Sequence, residues 1–317
     1  MKIILSGSVA IDQIMSFTGS FQELIQKEHL DKISLSVLVQ NLIRSNGGTA
    51  GNIAYSLALL GERPILLASV GADAKNYIDH LNKIGVNTNL VHFSQLPTAT
   101  FNVLTDREEN QIGSFYEGAM SDANSLNFSQ FTDEKEDILA VISAHNPEAM
   151  GKQVQECKSS DIKLLYDPGQ QIANLNSEDL VNGLKAASIL ILNEYEMSLL
   201  KSKTKLDKQA IITKTDLCII TLGKNGAKFY EKTNSHKEQS IYGVNLEKPI
   251  DPTGAGDAFR AGFIYAYAKK WPIKKAIEFA CVIASFAVEK NGTQNHKLNW
   301  LQIKKRYQET YAKRLQN

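Results

Sequence analysis

Cysteine is scarce in this sequence, with only three residues in 317: Cys157, Cys218 and Cys281. They are far apart, each lies among apolar residues, and none forms a CxxC or zinc-type spacing. Buried, reduced thiols are therefore favoured over a disulfide framework or a zinc site. The six histidines do not pair at metal-binding spacing either, so we predict a core or surface role for each of them.

An excess of charge of one sign is also missing. The chain has 35 Lys and Arg residues against 34 Asp and Glu residues, and they are scattered. This balance argues against nucleic acid or an acidic membrane as a partner. No uninterrupted apolar stretch reaches the roughly 20 residues of a membrane-spanning helix. The apolar start, Met1 to Gly7, soon meets Asp12 and lacks the core of a signal peptide. We expect a cytoplasmic protein.

Linkers rich in Pro, Gly or Ser are absent, as are repeats, so we expect one domain over residues 1–317. Short runs of Ile, Leu and Val alternate with helical patterns, which predicts a doubly wound α/β fold: a mostly parallel sheet with helices on both faces. Strands are predicted at Ile3 to Val9, Ile65 to Val70, Ile138 to Ser143, Leu164 to Asp167, Ile189 to Leu192 and Leu217 to Thr221. Helices are predicted at about 48–60, 74–84, 147–158, 194–202 and 254–270.

Two segments interrupt this alternation, residues 13–45 and 95–120. Apolar and polar residues alternate there at Ser34 to Val39, Thr98 to Leu104 and Gly113 to Glu117. Such alternation predicts antiparallel strands with one covered face, in a small sheet beside the main one. We interpret this small sheet as a lid.

The segment from Asp251 to Phe263 reads DPTGAGDAFRAGF, a Gly-rich turn that enters a helix. Gly254, Ala255 and Gly256 would present successive free N–H groups at the positive end of that helix, which suits an anion such as a developing phosphoryl group. Asp257 follows in the first turn, where it could accept a proton from an attacking hydroxyl. The helix N-terminus is expected to lower its pKa. Phosphoryl transfer tolerates such a weak base, because its transition state is loose.

Other interpretations of this segment are weaker. A dinucleotide fingerprint that starts at Gly254 would need Gly or Ala where Phe259 stands, and a Walker A sequence occurs nowhere in the chain. A single Asp in a first helical turn is most often a cap. The length of the motif favours a catalytic role for Asp257 instead.

This segment resembles the carboxy-terminal signature of the ribokinase-like sugar and nucleoside kinases, the PfkB family. Residues 46–61, NGGTAGNIAYSLALLG, are similar to the other signature of that family, and residues 7–12 are similar to its first strand. The resemblance implies that Asp257 is the catalytic base and that residues 254–256 form an anion hole. It further implies that the hydroxyls of the acceptor are bound by Asp12, Gly47, Gly48 and Asn52. Without the resemblance, Asp12 could equally be a loop cap and Asn52 a polar helix residue.

On the donor side, residues 193–196 resemble the NxxE motif of the family, and residues 221–227 resemble its loop for the donor nucleotide. A Gly-rich hairpin is an equally good interpretation of that loop. The resemblance implies ATP and Mg²⁺ as cofactors, with Glu196 holding Mg²⁺ through water and Asp251 among the ligands of a monovalent cation such as K⁺. The implied ATP contacts are Asn193, Thr221, Gly223, Gly226 and Thr253.

Within the family, the resemblance is closest to the nucleoside kinases of adenosine type, through residues 47–55, 166–170 and 291–295. A base needs an apolar or aromatic surface to stack on. Only Arg107 is basic between residues 95 and 118, which argues against a sugar phosphate. The interrupting segments hold candidates for the stacking surface at Phe17, Phe101, Phe115, Tyr116 and Met120. These side chains would equally suit packing of the lid or a homodimer contact.

The resulting hypothesis is an ATP-dependent kinase of the 5′-hydroxyl of a ribonucleoside, with adenosine as first choice. The nearest alternative is a kinase of a free sugar, of ribokinase or fructokinase type. An alternative from another class is a nucleotide- or sugar-binding protein without turnover, against which the intact Asp257 argues. Arg260, in the same helix as Asp257, is expected to reach either a donor phosphate or solvent.

Overall fold

The computed structural model describes residues 1–25, 34–131 and 137–315. Its strands are β1 Lys2–Ser6, β2 Ala10–Ser16, β3 Asn41–Gly47, β4 Ile65–Leu67, β5 Ser69–Gly71, β6 His92–Ser94, β7 Ala99–Thr105, β8 Gln111–Tyr116, β9 Ile138–Ser143, β10 Lys163–Asp167, β11 Ile189–Asn193, β12 Leu217–Thr221, β13 Ala227–Glu231 and β14 Glu238–Ile241. Its α-helices are α1 Phe21–Leu24, α2 Thr49–Leu59, α3 Lys75–Lys83, α4 Pro147–Ser159, α5 Ser177–Ala186, α6 Glu194–Thr204, α7 Lys208–Ile212, α8 Ala255–Ala268, α9 Ile273–Val288 and α10 Trp300–Tyr311.

The apolar runs form a sheet of eight strands in the order β14-β13-β12-β11-β10-β9-β1-β4. The strands from β12 to β4 are parallel, and β13 and β14 are antiparallel at one edge. Successive side chains of a strand point to opposite faces. Leu5 therefore packs with residues of α2, α3, α8, α9 and α10, whereas Ile4 packs with residues of α4 to α7. The predicted parallel sheet with helices on both faces is confirmed.

The strands and helices predicted for the alternating α/β part lie close to the observed ones, with two differences. The first strand ends at Ser6 rather than at Val9. The run from Ile65 to Val70 is not one strand, because the chain leaves the main sheet after Leu67. Residues 69–71 then pair with β6 in a separate parallel pair.

A second sheet has the order β3-β2-β7-β8. The β7–β8 pair is antiparallel, as predicted. The β2–β3 pair is also antiparallel, whereas β2 and β7 run parallel. The predicted strand at Ser34 to Val39 is wrong: these residues have no regular structure, and the strand beside β2 is β3 instead. All seven residues of β3 pair with β2, so β3 takes the position beside β2. Residues 34–39 alternate in polarity but do not cover their apolar side chains, since Leu38 is 89 % exposed. Residues 26–33 of the predicted lid segment lie outside the described residues.

The topology places the polar ends of the strands together. β4 lies on one side of β1 and β9, the next strand of this sheet along the chain, lies on the other. The order in which strands are added to the sheet therefore reverses beside β1. In open α/β sheets, ligands bind beyond the carboxyl ends of strands at such a point. Ser143, Asp167, Asn193 and Thr221 are the last residues of four neighbouring strands at this edge.

The three cysteines are free and buried, as the sequence predicted. Burial raises the pKa of each of these thiols to about 12, so they stay protonated. In the described residues no helix combines the length and apolar character that a membrane crossing requires.

Close packing of α8 on α9 generates a stability prediction. A Cβ on Gly262 would lie 2.9 Å from the Cα of Ala280 and 3.0 Å from the Cβ of Ile283, so Gly262→Ala requires the helices to separate. We expect it to lower the free energy of unfolding by about 1–3 kcal/mol, measured by urea denaturation.

The matched control is Gly151→Ala in α4, where the new Cβ would have its nearest neighbour at 3.4 Å, an oxygen of Asp179. Because alanine loses less conformational entropy than glycine when a helix forms, this change should stabilise the protein by about 0.5–1 kcal/mol. Equal effects of the two changes would contradict the close packing of α8 and α9.

Candidate active site

The two sequence signatures meet at the start of α8. Gly254 precedes that helix with a φ of 78°, a left-handed conformation that favours glycine. Asp257 lies in the first turn, and its Oδ2 accepts a hydrogen bond of 2.8 Å from Nδ2 of Asn52 on α2. The fold thus joins side chains that are 205 positions apart in the chain.

Asp257 has an unusual acidity. Its pKa is raised to about 7, mainly by burial and also by the nearby carboxylates of Asp167 and Asp12, against the opposing effects of Arg260 and the hydrogen bond from Asn52. The expectation that the helix N-terminus lowers this pKa is therefore wrong, because the loss of hydration outweighs it. A carboxyl group with this pKa can take up and release a proton near neutral pH.

Asp12 and the two neighbouring glycines form a tight corner between β2 and β3. A Cβ on Gly47 would overlap the carboxylate of Asp12. Gly48 has a φ of 87°, and its Cβ would lie 2.6 Å from the carbonyl oxygen of Ser8. Both positions therefore require glycine. Burial raises the pKa of Asp12 to about 6.

The register of the second sheet places aromatic side chains beside Asp12. Asp12 pairs with Phe101 on β7, which in turn pairs with Phe115 on β8, so the three side chains share one face. Phe101 is 39 % exposed and Phe115 49 % exposed. An apolar surface next to a carboxylate is thus open to a ligand.

The other aromatic and apolar candidates do not all share this face. Met120 is 4 % exposed and packs with Ala10 and Ala99, which are in phase with Asp12 and Phe101, so it lies on their side of the second sheet. Tyr116 pairs with Thr100, one position out of phase with Asp12, and therefore points to the opposite face. Phe17 is buried and its ring lies 5.1 Å from that of Phe21. Tyr116 and Phe17 are therefore not part of the surface formed by Phe101 and Phe115.

The turn before α8 has fewer free donors than expected. The N–H group of Ala255 donates to the carbonyl oxygen of Pro252 at 3.1 Å. The prediction of three successive free N–H groups is therefore wrong. The N–H groups of Gly256 and Asp257 have no acceptor in the part of the chain that the structure describes. These two donors point from the positive end of a helix of 14 residues and can bind an anion.

Arg260 does not reach solvent. It is 7 % exposed; its Nη2 donates to Oδ1 of Asp167 at 2.5 Å, and its Nε lies 2.5 Å from Oδ2. The alternative of a solvent-exposed Arg260 is therefore wrong. A Cβ on Gly256 would lie 2.9 Å from Nη1 of Arg260, which places this cation directly beneath the first turn of α8.

Asp167 is the functional-site residue that sequence reasoning missed. It ends β10, it is 2 % exposed, and its negative charge fixes Arg260. The segment from Tyr166 to Gln170 stood out in the sequence, which was a signal for its importance, but nothing local to it points to Arg260.

Asn193 and Glu196 form a capping box at the start of α6. Oδ1 of Asn193 accepts from the N–H group of Glu196 at 2.8 Å, and the N–H group of Asn193 donates to Oε2 of Glu196 at 2.7 Å. Burial raises the pKa of Glu196, which Arg260 partly offsets. Because the cap occupies Oε2, Oε1 is the atom that could face a ligand.

The loop after β12 has the form of a hairpin into β13. Gly223 and Gly226 have φ angles of 57° and 93°. The N–H group of Leu222 donates to the carbonyl oxygen of Gly226 at 2.7 Å, and a Cβ on Gly226 would overlap the carbonyl oxygen of Ile241. Thr221 is paired with Asn193 on the neighbouring strand, so this loop and the capping box lie side by side.

Asp251 is held by two backbone donors. Its Oδ1 accepts from Thr253 at 2.8 Å and its Oδ2 from Gly292 at 2.9 Å. Burial opposes ionisation, but these hydrogen bonds hold the pKa of Asp251 below its ordinary value. Across residues 1–25, 34–131 and 137–315, no group of three or more His, Cys, Asp and Glu side chains could hold a metal ion.

Comparison with known proteins gives consistent results. The sequence model described as pfkB family carbohydrate kinase matches residues 9–300. A nucleoside kinase of Methanocaldococcus jannaschii is 28 % identical over 310 residues, 96 % of this chain and 96 % of that protein. A ribokinase of Bacillus subtilis is 27 % identical over 281 residues, 87 % of this chain and 92 % of that protein.

Among solved structures, that of a Burkholderia thailandensis nucleoside kinase in complex with inosine is similar, with a TM-score of 0.86 and 29 % identity. The match covers 99 % of this chain and 100 % of that chain. The ribokinase-like fold inferred from the motifs is confirmed by this likeness.

The buried ion pair generates a second prediction. Arg260→Leu leaves the carboxylate of Asp167 buried without its partner, so we expect a loss of about 3–5 kcal/mol in the free energy of unfolding. The double variant Arg260→Leu, Asp167→Leu removes both charges and should recover much of this loss. Urea denaturation of the two variants measures the difference, and a single variant as stable as the wild type would show that the pair is not buried.

Proposed function

The chain belongs to the pfkB family of carbohydrate kinases, and from that premise we propose that it transfers the γ-phosphate of ATP to the 5′-hydroxyl of a ribonucleoside, with adenosine the first acceptor to test. The observation that carries the proposal is the position of Phe101 and Phe115 beside Asp12 on one sheet face. A carboxylate suits ribose hydroxyls, and the aromatic rings suit a base. The similarity to proteins named nucleoside kinase supports the same acceptor class.

In this proposal, Asp12 accepts hydrogen bonds from ribose hydroxyls, and the second N–H of the Asn52 amide donates to the acceptor. The 5′-oxygen attacks the γ-phosphorus while Asp257 takes its proton, and the bond from that phosphorus to the β-phosphate oxygen breaks to release ADP. The free N–H groups of Gly256 and Asp257 stabilise the negative charge on the transferred group. The buried cation of Arg260 adds to this field.

The donor would lie along the carboxyl ends of β11 and β12, with Asn193, Thr221, Thr253 and the loop glycines 223 and 226 as its contacts. ATP is used with Mg²⁺ in this proposal, and the ion would offset the phosphate charge. The free Oε1 of Glu196 fits a contact through water, because its other oxygen belongs to the cap. We propose a monovalent cation such as K⁺ near Asp251.

The second sheet would act as a lid that keeps water from the γ-phosphate. Its outer face carries an apolar row in register, Leu42, Met15, Leu104 and Ile112, in which Leu42 is 59 % exposed and Ile112 49 % exposed. A homodimer through this face is therefore part of the proposal.

A kinase of a free sugar is the second candidate, and the similarity to a ribokinase supports it. A free pentose would not use the apolar surface of Phe101 and Phe115. An acceptor panel separates the two: release of ADP with ATP, Mg²⁺ and adenosine, inosine, cytidine, ribose, fructose or fructose 6-phosphate.

We expect kcat/KM for the best nucleoside to exceed that for ribose by at least about tenfold, since stacking on an aromatic ring contributes about 1–3 kcal/mol per base. Phe101→Ala should remove most of this advantage and leave ribose turnover unchanged. Turnover of free sugars alone would overturn the nucleoside proposal.

The pKa of Asp257 generates a pH prediction. The base must be ionised to accept the proton, so kcat/KM should rise with pH until about 7, the pKa of Asp257, and then level off. Asp257→Asn should lower kcat by about 10²–10⁴-fold, because the amide cannot accept the proton. Isothermal titration should show that this variant still binds ATP and acceptor. Near-normal turnover of the variant would remove Asp257 from its proposed role.

A further inference from the structure

We propose that Tyr77 and Gln294 are positioning residues that make Asn52 present its NH₂ group, and not its carbonyl oxygen, to Asp257. With the carbonyl group of Gly47 they form a chain of hydrogen bonds, which we call the amide chain: Gly47, Tyr77, Gln294, Asn52 and Asp257. The inference rests on the proposed role of Asp257 as the base, and it adds two residues outside the signatures to the machinery.

The links of the amide chain come from separate parts of the fold. The hydroxyl of Tyr77, on α3, donates to the carbonyl oxygen of Gly47 at 3.0 Å. Nε2 of Gln294, in the segment after α9, donates to that same hydroxyl oxygen and to Oδ1 of Asn52, the latter at 2.8 Å. Nδ2 of Asn52 donates to Oδ2 of Asp257 at 2.8 Å.

The direction of these hydrogen bonds follows from the first link. A backbone carbonyl can only accept, so the single hydroxyl proton of Tyr77 is committed to Gly47. The hydroxyl oxygen is then an acceptor, which orients the amide of Gln294 with its NH₂ group inward. The second N–H of that group needs an acceptor, so Asn52 presents Oδ1 to it and turns its own NH₂ group to Asp257.

The surroundings hold this direction in place. Tyr77 and Asn52 are each 4 % exposed, so neither can exchange its partner for water. A Cβ on Gly51 would overlap the hydroxyl oxygen of Tyr77, so only glycine at this position of α2 admits the chain. Burial raises the pKa of Tyr77 above its ordinary value, which keeps the hydroxyl protonated at every working pH.

The consequence concerns the protonation of Asp257. An N–H donor stabilises the carboxylate, whereas a reversed Asn52 would present Oδ1, which accepts only from the protonated acid. The charged groups that face Asp257 are Arg260 on its own helix, Asp12 on β2 and Asp167 at the end of β10. Changes at Tyr77 or Gln294 leave these three in place, so an effect on Asp257 would report on Asn52.

The test compares Tyr77→Phe and Gln294→Met with Tyr55→Phe. The hydroxyl of Tyr55, also buried, donates to the carbonyl oxygen of His296 at 2.9 Å and so ties α2 to the same segment outside the amide chain. Without the hydroxyl of Tyr77, Gln294 can present either its NH₂ group or its carbonyl oxygen to Asn52. We expect the pKa of Asp257 to rise by about one unit in the two chain variants. Tyr55→Phe should leave it unchanged.

The readout is the titration of Asp257 itself, by NMR of protein labelled at the aspartate carboxyl carbons, with the signal assigned by its loss in Asp257→Asn. With a nucleoside acceptor, the acid limb of the pH profile should move by the same amount. At pH 7 kcat should fall by about fivefold, because the ionised fraction of Asp257 falls from about one half to about one tenth, with a smaller change in KM.

The titration needs no turnover, so the two proposals fail separately. An upward shift without nucleoside turnover by the wild-type protein would leave the amide chain standing and overturn the proposed function. An unchanged titration in both chain variants, or an equal shift in Tyr55→Phe, would overturn the amide chain. Should Tyr77→Phe not fold, Gln294→Met carries the same prediction, because Gln294 lies in a partly exposed turn.

Discussion

The ion pair between Arg260 and Asp167 is the interaction on which the rest of the candidate site depends. Its guanidinium group lies beneath the first turn of α8 and interacts with the charges of Asp257 and Glu196 as well as with Asp167. Three carboxyl groups gathered in a space with little water would repel one another, and burial alone would keep them protonated. The buried cation forms a fixed ion pair with Asp167 and opposes the rise in the pKa of Asp257 and Glu196 that burial causes.

The fold positions these groups by joining distant segments at one edge of the main sheet. β10 supplies Asp167, β11 leads into the capping box of Glu196, and α8 brings Asp257 and Arg260 one turn apart. The helix α2 brings Asn52 into direct contact with Asp257. In the proposed function, the residues that bind the phosphate donor and those that bind the acceptor therefore share one charge environment.

The sequence predicts best what is local. The Gly-rich turn, the helix after it and the apolar strands follow from composition and periodicity, and the structure has them at nearly the predicted positions. The side chain of Arg260 could not be placed, because its partner Asp167 lies 93 positions away in the chain. The predicted direction of the pKa shift of Asp257 was wrong for a similar reason. A helix N-terminus is a local feature, whereas burial depends on the whole fold. The orientation of Tyr116 required the register between β7 and β8, which the alternating pattern leaves open.

The second sheet carries Asp12, Phe101 and Phe115, whereas Asp257 and its neighbours stand on the main sheet and its helices. In the proposed function, the base of the acceptor is therefore bound by one sheet, whereas the phosphate reacts beside another part of the backbone. Phe101 and Phe115 carry no charge, so they can vary in evolution without disturbing the buried charges around α8, whereas the carboxylate of Asp12 raises the pKa of Asp257. A fold divided in this way can acquire new acceptors while its reaction stays the same, and relatives named for nucleosides and for ribose alongside this chain are consistent with that history.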